Sequence, residues 1–260
     1  MAEDRSLKQT AELARKNARK RRRAWITVSL VLAVGLALAA GYQFWLRDSS
    51  LVEIRDLQIQ GVTAETDQGE EITATVKQAV GGMTTLHLDP GGLERDLARF
   101  PRVESADIEA DFPNGATVTV GLRSDGSVLG TGEDAVLIAT DGTVLGPAGE
   151  AGGRLPVIAD GESADGGRLE GPELAQATVL GATPDEIRSF VERSEFGKNG
   201  VEVILSNGPV LVFGDDSSVD QKWRAAASVI SDPELTDAGY VDLSLPRRPA
   251  VGTGKPVGEE

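Results

Sequence analysis

Followed for its alternation of apolar and polar positions, the chain begins with a stretch unlike the rest. Ala24 to Leu46 is a run of 23 residues without a charge, rich in Leu, Val and Ala. At about 1.5 Å per residue a helix of that length crosses a hydrocarbon core of roughly 30 Å, so the run predicts one transmembrane helix. Trp25 at one end and Tyr42, Phe44 and Trp45 at the other occupy the positions that interfacial aromatics prefer. A cleaved signal peptide is the competing reading, with Leu38-Ala-Ala40 as the small residues. A signal core usually ends after about 7–15 residues, whereas this run continues to Trp45.

Beyond it the pattern shortens. Val52 and Ile54, then after a slip Leu57 and Ile59, predict a strand over residues 51–59 that ends at Gly61. Ile72, Val76, Ala79 and Val80 share one face of a helix that starts on two acids and ends before Gly81-Gly82. Asp89-Pro90 is an N-cap followed by a proline at the first helical position, and Leu93, Leu97 and Phe100 recur at helical spacing until Pro101. Residues 103–110 and 116–122 alternate around the turn Pro113-Asn-Gly115. The order is β-α-α-β-β, with Leu57, Ile59, Leu93, Leu97, Val103, Ile108, Val118 and Val120 expected in the core.

The second half reads as strands at 135–139, 143–145 and 155–158, a weak helix at 172–180, a hairpin of 201–205 and 210–213 around Asn207-Gly208, a helix at 218–230, and a strand at 240–243. Residues 187–196 accept both helical and extended readings. Residues 124–134, rich in Gly, Ser and Asp, suggest a connector; 146–153 and 161–167 suggest loops, and 252–260 a disordered tail.

Charge gives the molecule a direction. The formal net charge is −15, but residues 1–23 hold nine basic and three acidic residues, a charge of +6. The remainder holds 17 basic and 38 acidic residues, a charge of −21. Arg21, Arg22 and Arg23 abut the apolar run, and the positive-inside bias places residues 1–23 in the cytoplasm and 47–260 outside it. The basic stub also suits anionic lipid headgroups.

Composition removes several chemistries. Without cysteine there is no disulfide, thiol nucleophile or Cys-bound metal. The single histidine, His87, cannot build a His-rich metal site; a pH-sensitive contact is the functional reading for it and an exposed loop residue the simpler one. An aromatic content of 4% and an acidic body speak against nucleic acid. The Asp-Gly pairs at 125, 141, 160 and 165 lack calcium-loop spacing and fit turns. Glu70-Glu71 and Asp215-Asp216 are carboxylate pairs adjacent in sequence, explained by a helix start and a hairpin end. No serine sits in a nucleophile-elbow or S-x-x-K setting. No cofactor is expected.

Several motifs then carry a family resemblance: Ile54-Arg-Asp-Leu-Gln-Ile-Gln-Gly61, the turn Gly81 to Asp89, Phe100-Pro-Arg-Val-Glu-Ser-Ala106, and Phe112-Pro113 before Val118-Thr-Val120. Together they resemble a POTRA domain of the FtsQ/DivIB type, a family of bitopic bacterial division proteins. Where that family commonly has Glu-Arg-x-Pro after the third strand, this chain has Gly121-Leu-Arg-Ser124. The hairpin ending in Val-x-Phe-Gly, the helix with Lys222 and the final Val241-Asp-Leu243 resemble the family's β-domain.

The resemblance implies an α+β architecture: a basic cytoplasmic segment (1–23), a transmembrane helix (24–46), a POTRA domain (51–123), a β-domain (127–251) with a covering helix, and a tail (252–260). It implies a non-enzymatic scaffold at the division septum, bound to FtsB-like and FtsL-like partners and through them to the septal peptidoglycan synthase pair. In the family, the FtsB partner adds a strand beside the last strand of the β-domain. Carried onto this sequence, that site is Leu243, Leu245, Arg247, Arg248, Ala250 and Val251. Arg247 and Arg248 are a positive pair suited to a carboxylate, while Pro246 and Pro249 limit the ladder bonds a partner could make. The membrane-interface residues are Arg21, Arg22, Arg23, Trp25, Tyr42 and Trp45. A membrane-anchored peptidoglycan-processing hydrolase is the alternative.

Overall fold

The computed structural model describes residues 25, 29–37, 40–42, 51–63, 68–159, 161, 167–232, 238–254 and 256. Within the apolar run, residues 29–37 and 40–41 are helical and their large side chains are exposed. The rest of the expected 24–46 helix, apart from Trp25 and Tyr42, lies outside the described residues, as do Arg21, Arg22, Arg23 and Trp45. Among the described residues no helix is long and apolar enough to cross a membrane. The described residues fall into two compact units, one drawn from 1–96 and 106–119, the other from 97–105 and 120–260.

A three-stranded sheet is built from β1 (Asp56–Gln60), β2 (Val103–Asp111) and β3 (Gly115–Leu122) in the order β1-β3-β2. β1 runs parallel to β3, with Leu57 opposite Ala116 and Ile59 opposite Val118. Two helices intervene in sequence, α1 (Gly69–Val80) and α2 (Pro90–Leu97), giving the β-α-α-β-β order expected. Ile72, Val76 and Val80 form the buried stripe of α1, and Leu93 and Leu97 that of α2. Asp89 caps α2 by accepting the Gly92 N–H at 2.9 Å. Ile108, Val118 and Val120 are buried as expected, whereas Leu57, Ile59 and Val103 are half-buried.

β1 is shorter than its sequence pattern. Residues 51–55 are held by the apex of the β2–β3 hairpin and by an isolated bridge from Glu53 to Thr84 rather than by a ladder: the Asn114 side-chain amide donates to the Leu51 and Glu53 carbonyls, both at 2.9 Å. The Asn114 carbonyl in turn accepts the Arg55 and Asp56 N–H groups.

The second unit carries a nine-stranded sheet. Its strands are β4 (Asp125–Leu129), β5 (Val136–Ala139), β6 (Val144–Pro147), β7 (Val157–Ile158), β8 (Val191–Gly197), β9 (Gly200–Leu205), β10 (Val210–Gly214), β11 (Tyr240–Asp242) and β12 (Ala250–Gly252). Their spatial order is β12-β11-β10-β9-β8-β7-β4-β5-β6. Helices α3 (Gly171–Gly181), α4 (Asp185–Arg188) and α5 (Val219–Ile230) complete it. The main core joins α3 and α5 to the middle of the sheet. Trp223 on α5 stacks obliquely on Phe213, at 4.8 Å between ring centres, and donates its indole N–H to the Val179 carbonyl of α3 at 2.9 Å. A smaller cluster, Val128, Ala135, Leu137, Ala139, Leu145 and Ala148, fills a second face of β4–β6.

The expected connector at 124–134 is a correction. Residues 125–129 are β4, an interior strand with Ser127, Val128 and Leu129 buried. Glycine is there for close approach rather than flexibility: a Cβ on Gly126 would stand 2.9 Å from the Thr140 nitrogen, and one on Gly181 of α3 would stand 2.6 Å from the Thr140 carbonyl oxygen. The backbone around Thr140 is thus approached by β4 and by α3. Of the stretch 146–153, read as loop, Gly146 and Pro147 end β6, and residues 149–153 belong to 3₁₀ turns that run to Arg154. Residues 191–197 are extended, with a short turn of helix before them. Gly252, expected to open the tail, closes β12, and Pro256 is buried; residues 255 and 257–260 lie outside the described residues.

Arg123, in the Gly-Leu-Arg-Ser stretch that departs from the family pattern, is a structural clamp. It donates to the Pro101 carbonyl at 2.7 Å, to the Val103 carbonyl, and to the Asp141 carboxylate at 3.0 Å. Arg102 reaches Asp125 at 2.9 Å.

Candidate partner-binding edge

The C-terminal border of the large sheet is assembled from three short strands. β10 takes β11 in parallel, with Val210 opposite Tyr240 and Val212 opposite Asp242. β12 then returns antiparallel to β11, pairing Tyr240 with Gly252, Val241 with Val251 and Asp242 with Ala250. Val241 anchors β11 in the core, and Leu243, directly after it, is 0% exposed and donates its N–H to the Val212 carbonyl.

Between β11 and β12 the chain turns on local bonds. The Asp242 carboxylate accepts the Ser244 N–H at 2.9 Å, and the Arg248 N–H reaches the Leu245 carbonyl at 2.8 Å with Pro246 inside that turn. Pro246 and Pro249 both fall outside the strands. They therefore shape the turn and leave the ladder groups of β12 intact.

The six residues expected to bind a partner separate into two sets. Leu243 belongs to the core. Leu245 is 68% exposed, Val251 38% exposed, and Arg247, Arg248 and Ala250 are exposed. These five line the turn and the last strand, so that border presents three apolar side chains, two guanidinium groups and a strand with one side unpaired among the described residues. Chemically this is a surface for main-chain pairing with a carboxylate-bearing segment.

Two features support this border, the first of them missed in the sequence and the second named there without its contacts. The Tyr240 ring covers Gly252 across the ladder: a Cβ at Gly252 would meet the ring Cε1 at 2.2 Å. An edge glycine shielded by a cross-strand aromatic fixes the register of β12. Gly239 likewise admits the Gly254 backbone, whose oxygen would lie 2.3 Å from a Cβ. The signal available was Gly-Tyr at 239–240 matched by Gly-x-Gly at 252–254. The second feature is Lys222, which lies on the buried stripe of α5 and holds the end of β10 through the Phe213 carbonyl at 2.8 Å.

Other sequence candidates are placed elsewhere. His87 is exposed, and its backbone N–H donates to the Thr84 carbonyl. Asp215 pairs with Lys222 rather than with Asp216. Trp25 and Tyr42 are exposed. Among the described residues no group of three or more His, Asp or Glu side chains is placed to hold a metal ion.

Comparison with known proteins accounts for both halves. Residues 52–121 match the model for a POTRA domain of the FtsQ type, and residues 128–244 match that for the C-terminal part of the cell division protein FtsQ/DivIB. The cell division protein FtsQ of Streptomyces coelicolor is 24% identical over 238 residues, covering 85% of this chain and 86% of that protein. With the two matched segments in the family's order along one chain, this protein belongs to the FtsQ/DivIB family of cell division proteins.

Proposed function

We propose that this chain is a non-enzymatic, single-pass scaffold of the division machinery, with residues 1–23 in the cytoplasm, the helix of 24–46 in the membrane and the two folded units outside. Its work is capture: the β12 border takes a strand from an FtsB-like partner, with an FtsL-like chain alongside, and so gathers the septal peptidoglycan synthase pair. The observation that supports this reading is that β12 is the last strand of a nine-stranded sheet, with Leu245, Arg247, Arg248, Ala250 and Val251 all exposed. Backbone groups of such an edge give affinity, alternate side chains give selectivity, and the arginine pair favours an acidic segment. The hydrolase alternative gains no support from the matched families.

Co-purification of the full chain from membranes, with partners identified by mass spectrometry, tests the reading. FtsB- and FtsL-like chains should accompany it from dividing cells, and reversing Arg247 and Arg248 to Glu should deplete them. Their absence from the intact chain would overturn the assignment.

A further inference from the structure

We propose that the tip of the β2–β3 hairpin is a second membrane contact, with Phe112 and Leu51 seated among the lipid headgroups. The inference rests on the 24–46 run being a membrane anchor. Phe112, at the hairpin apex, is 71% exposed, and Leu51 is 62% exposed. Scattered exposed apolar residues are ordinary; these two differ in being held together next to the anchor.

The tie is rigid. Asn114 donates to the carbonyls of Leu51 and Glu53, and the Thr85 hydroxyl bonds the carbonyls of Pro113 at 2.8 Å and Val52 at 3.3 Å. The apex therefore follows residues 51–53 wherever the chain leads them. The four residues Arg47 to Ser50 separate Leu46 from Leu51, which allows a reach of at most about 18 Å when fully extended. Roughly 5–8 Å of that lies within the headgroup layer. A rigid apolar apex tethered this closely meets the interface, where an aromatic ring is favoured. Asp56 and Asp111 line the groove beside the apex, together with Pro113 and Asn114. Attraction to anionic lipid is thus not the source of the contact, and a zwitterionic bilayer suffices.

The absence of cysteine makes the test clean. Full-length chains carrying a single nitroxide at F112C or L36C are reconstituted into phosphatidylcholine vesicles, and accessibility to oxygen is compared with that to a water-soluble nickel chelate. Nitroxide-labelled glutathione in the buffer gives the aqueous reference. The label at 112 should favour oxygen more than the aqueous reference and less than the label at 36. A label at 112 that reads as aqueous while that at 36 reads as lipid overturns the contact and leaves the anchor standing. An aqueous reading at 36 removes the anchor and the contact together. In a second pair, a label at L51C should lose oxygen preference when Phe112→Asp is added; an unchanged reading at 51 also overturns the proposal.

Discussion

Lys222 and Asp215 are joined across the end of β10 by an ion pair whose two members live in different media. The lysine side chain is 2% exposed, whereas the carboxylate is 70% exposed. The ammonium also donates to the Phe213 carbonyl at 2.8 Å and the Asp215 carbonyl at 2.9 Å, so each of its three hydrogens has an acceptor. Substitution should be correspondingly unequal. Lys222→Met leaves two buried or half-buried carbonyls without a donor and should lower unfolding free energy by about 3 kcal/mol. Asp215→Asn changes a solvated partner and should cost under about 1 kcal/mol. Urea denaturation of the two variants checks the ratio.

The same pair sets a pH dependence. The bond from Lys222, helped by that from the Ser217 hydroxyl, holds the Asp215 carboxyl down at about 2. A depressed carboxylate stabilises the fold above its ordinary value of about 3.9, and that contribution fades as pH falls through the folded value. Because the group is mostly exposed, screening keeps the effect to the order of 1 kcal/mol or less. The stability gap between the unsubstituted chain and Asp215→Asn should therefore be flat from pH 7 to pH 5 and close between about pH 4 and pH 2.

The sequence marks Lys222 if it is read at the right period. Val219, Trp223, Ala226 and Val229 are the buried stripe of α5, and Lys222 falls among them; a lysine on such a stripe needs oxygen acceptors. What helical spacing does not reveal is which acceptors, because Phe213 and Asp215 reach it only when β10 ends against the helix. The β-α-α-β-β order and the C-terminal hairpin were legible because their apolar periods are clean. β4 was not, since Gly126 and Ser127 signal a loop until Thr140 is known to press against that strand. The candidate edge was legible in place but not in detail. Leu243 and Leu245 look equivalent in sequence, and only the pairing of β11 with β10 sends the first into the core.

Two buried serines should behave oppositely. The Ser194 hydroxyl donates to the Gln176 amide oxygen at 2.8 Å, with both residues almost fully buried. Ser194→Ala leaves that oxygen without its donor and should cost about 1–3 kcal/mol. The Ser127 hydroxyl is also buried but has no partner among the described residues. Ser127→Ala removes an uncompensated polar group and should leave stability unchanged or raise it by about 1 kcal/mol. Thermal melts should place Ser194→Ala below the unsubstituted chain and Ser127→Ala at or above it.

The proposed border admits a test that separates its surface from its support. Leu245→Asp alters an exposed side chain and should leave stability within about 0.5 kcal/mol while weakening capture of an FtsB-like segment. Leu243→Asp places a carboxylate where exposure is 0% and should unfold the second unit, losing capture with the fold. Gly252→Val lies between these extremes. Its side chain would collide with the Tyr240 ring, and relieving the clash displaces either the ring or β12 at a cost of about 1–3 kcal/mol. Capture should fall in this variant while far-ultraviolet circular dichroism stays unchanged, because β12 is three residues at the sheet border. Adding Tyr240→Ala removes the colliding ring and should restore part of the lost capture. If the double variant binds no better than Gly252→Val alone, the ring over the glycine is not what sets the register of β12.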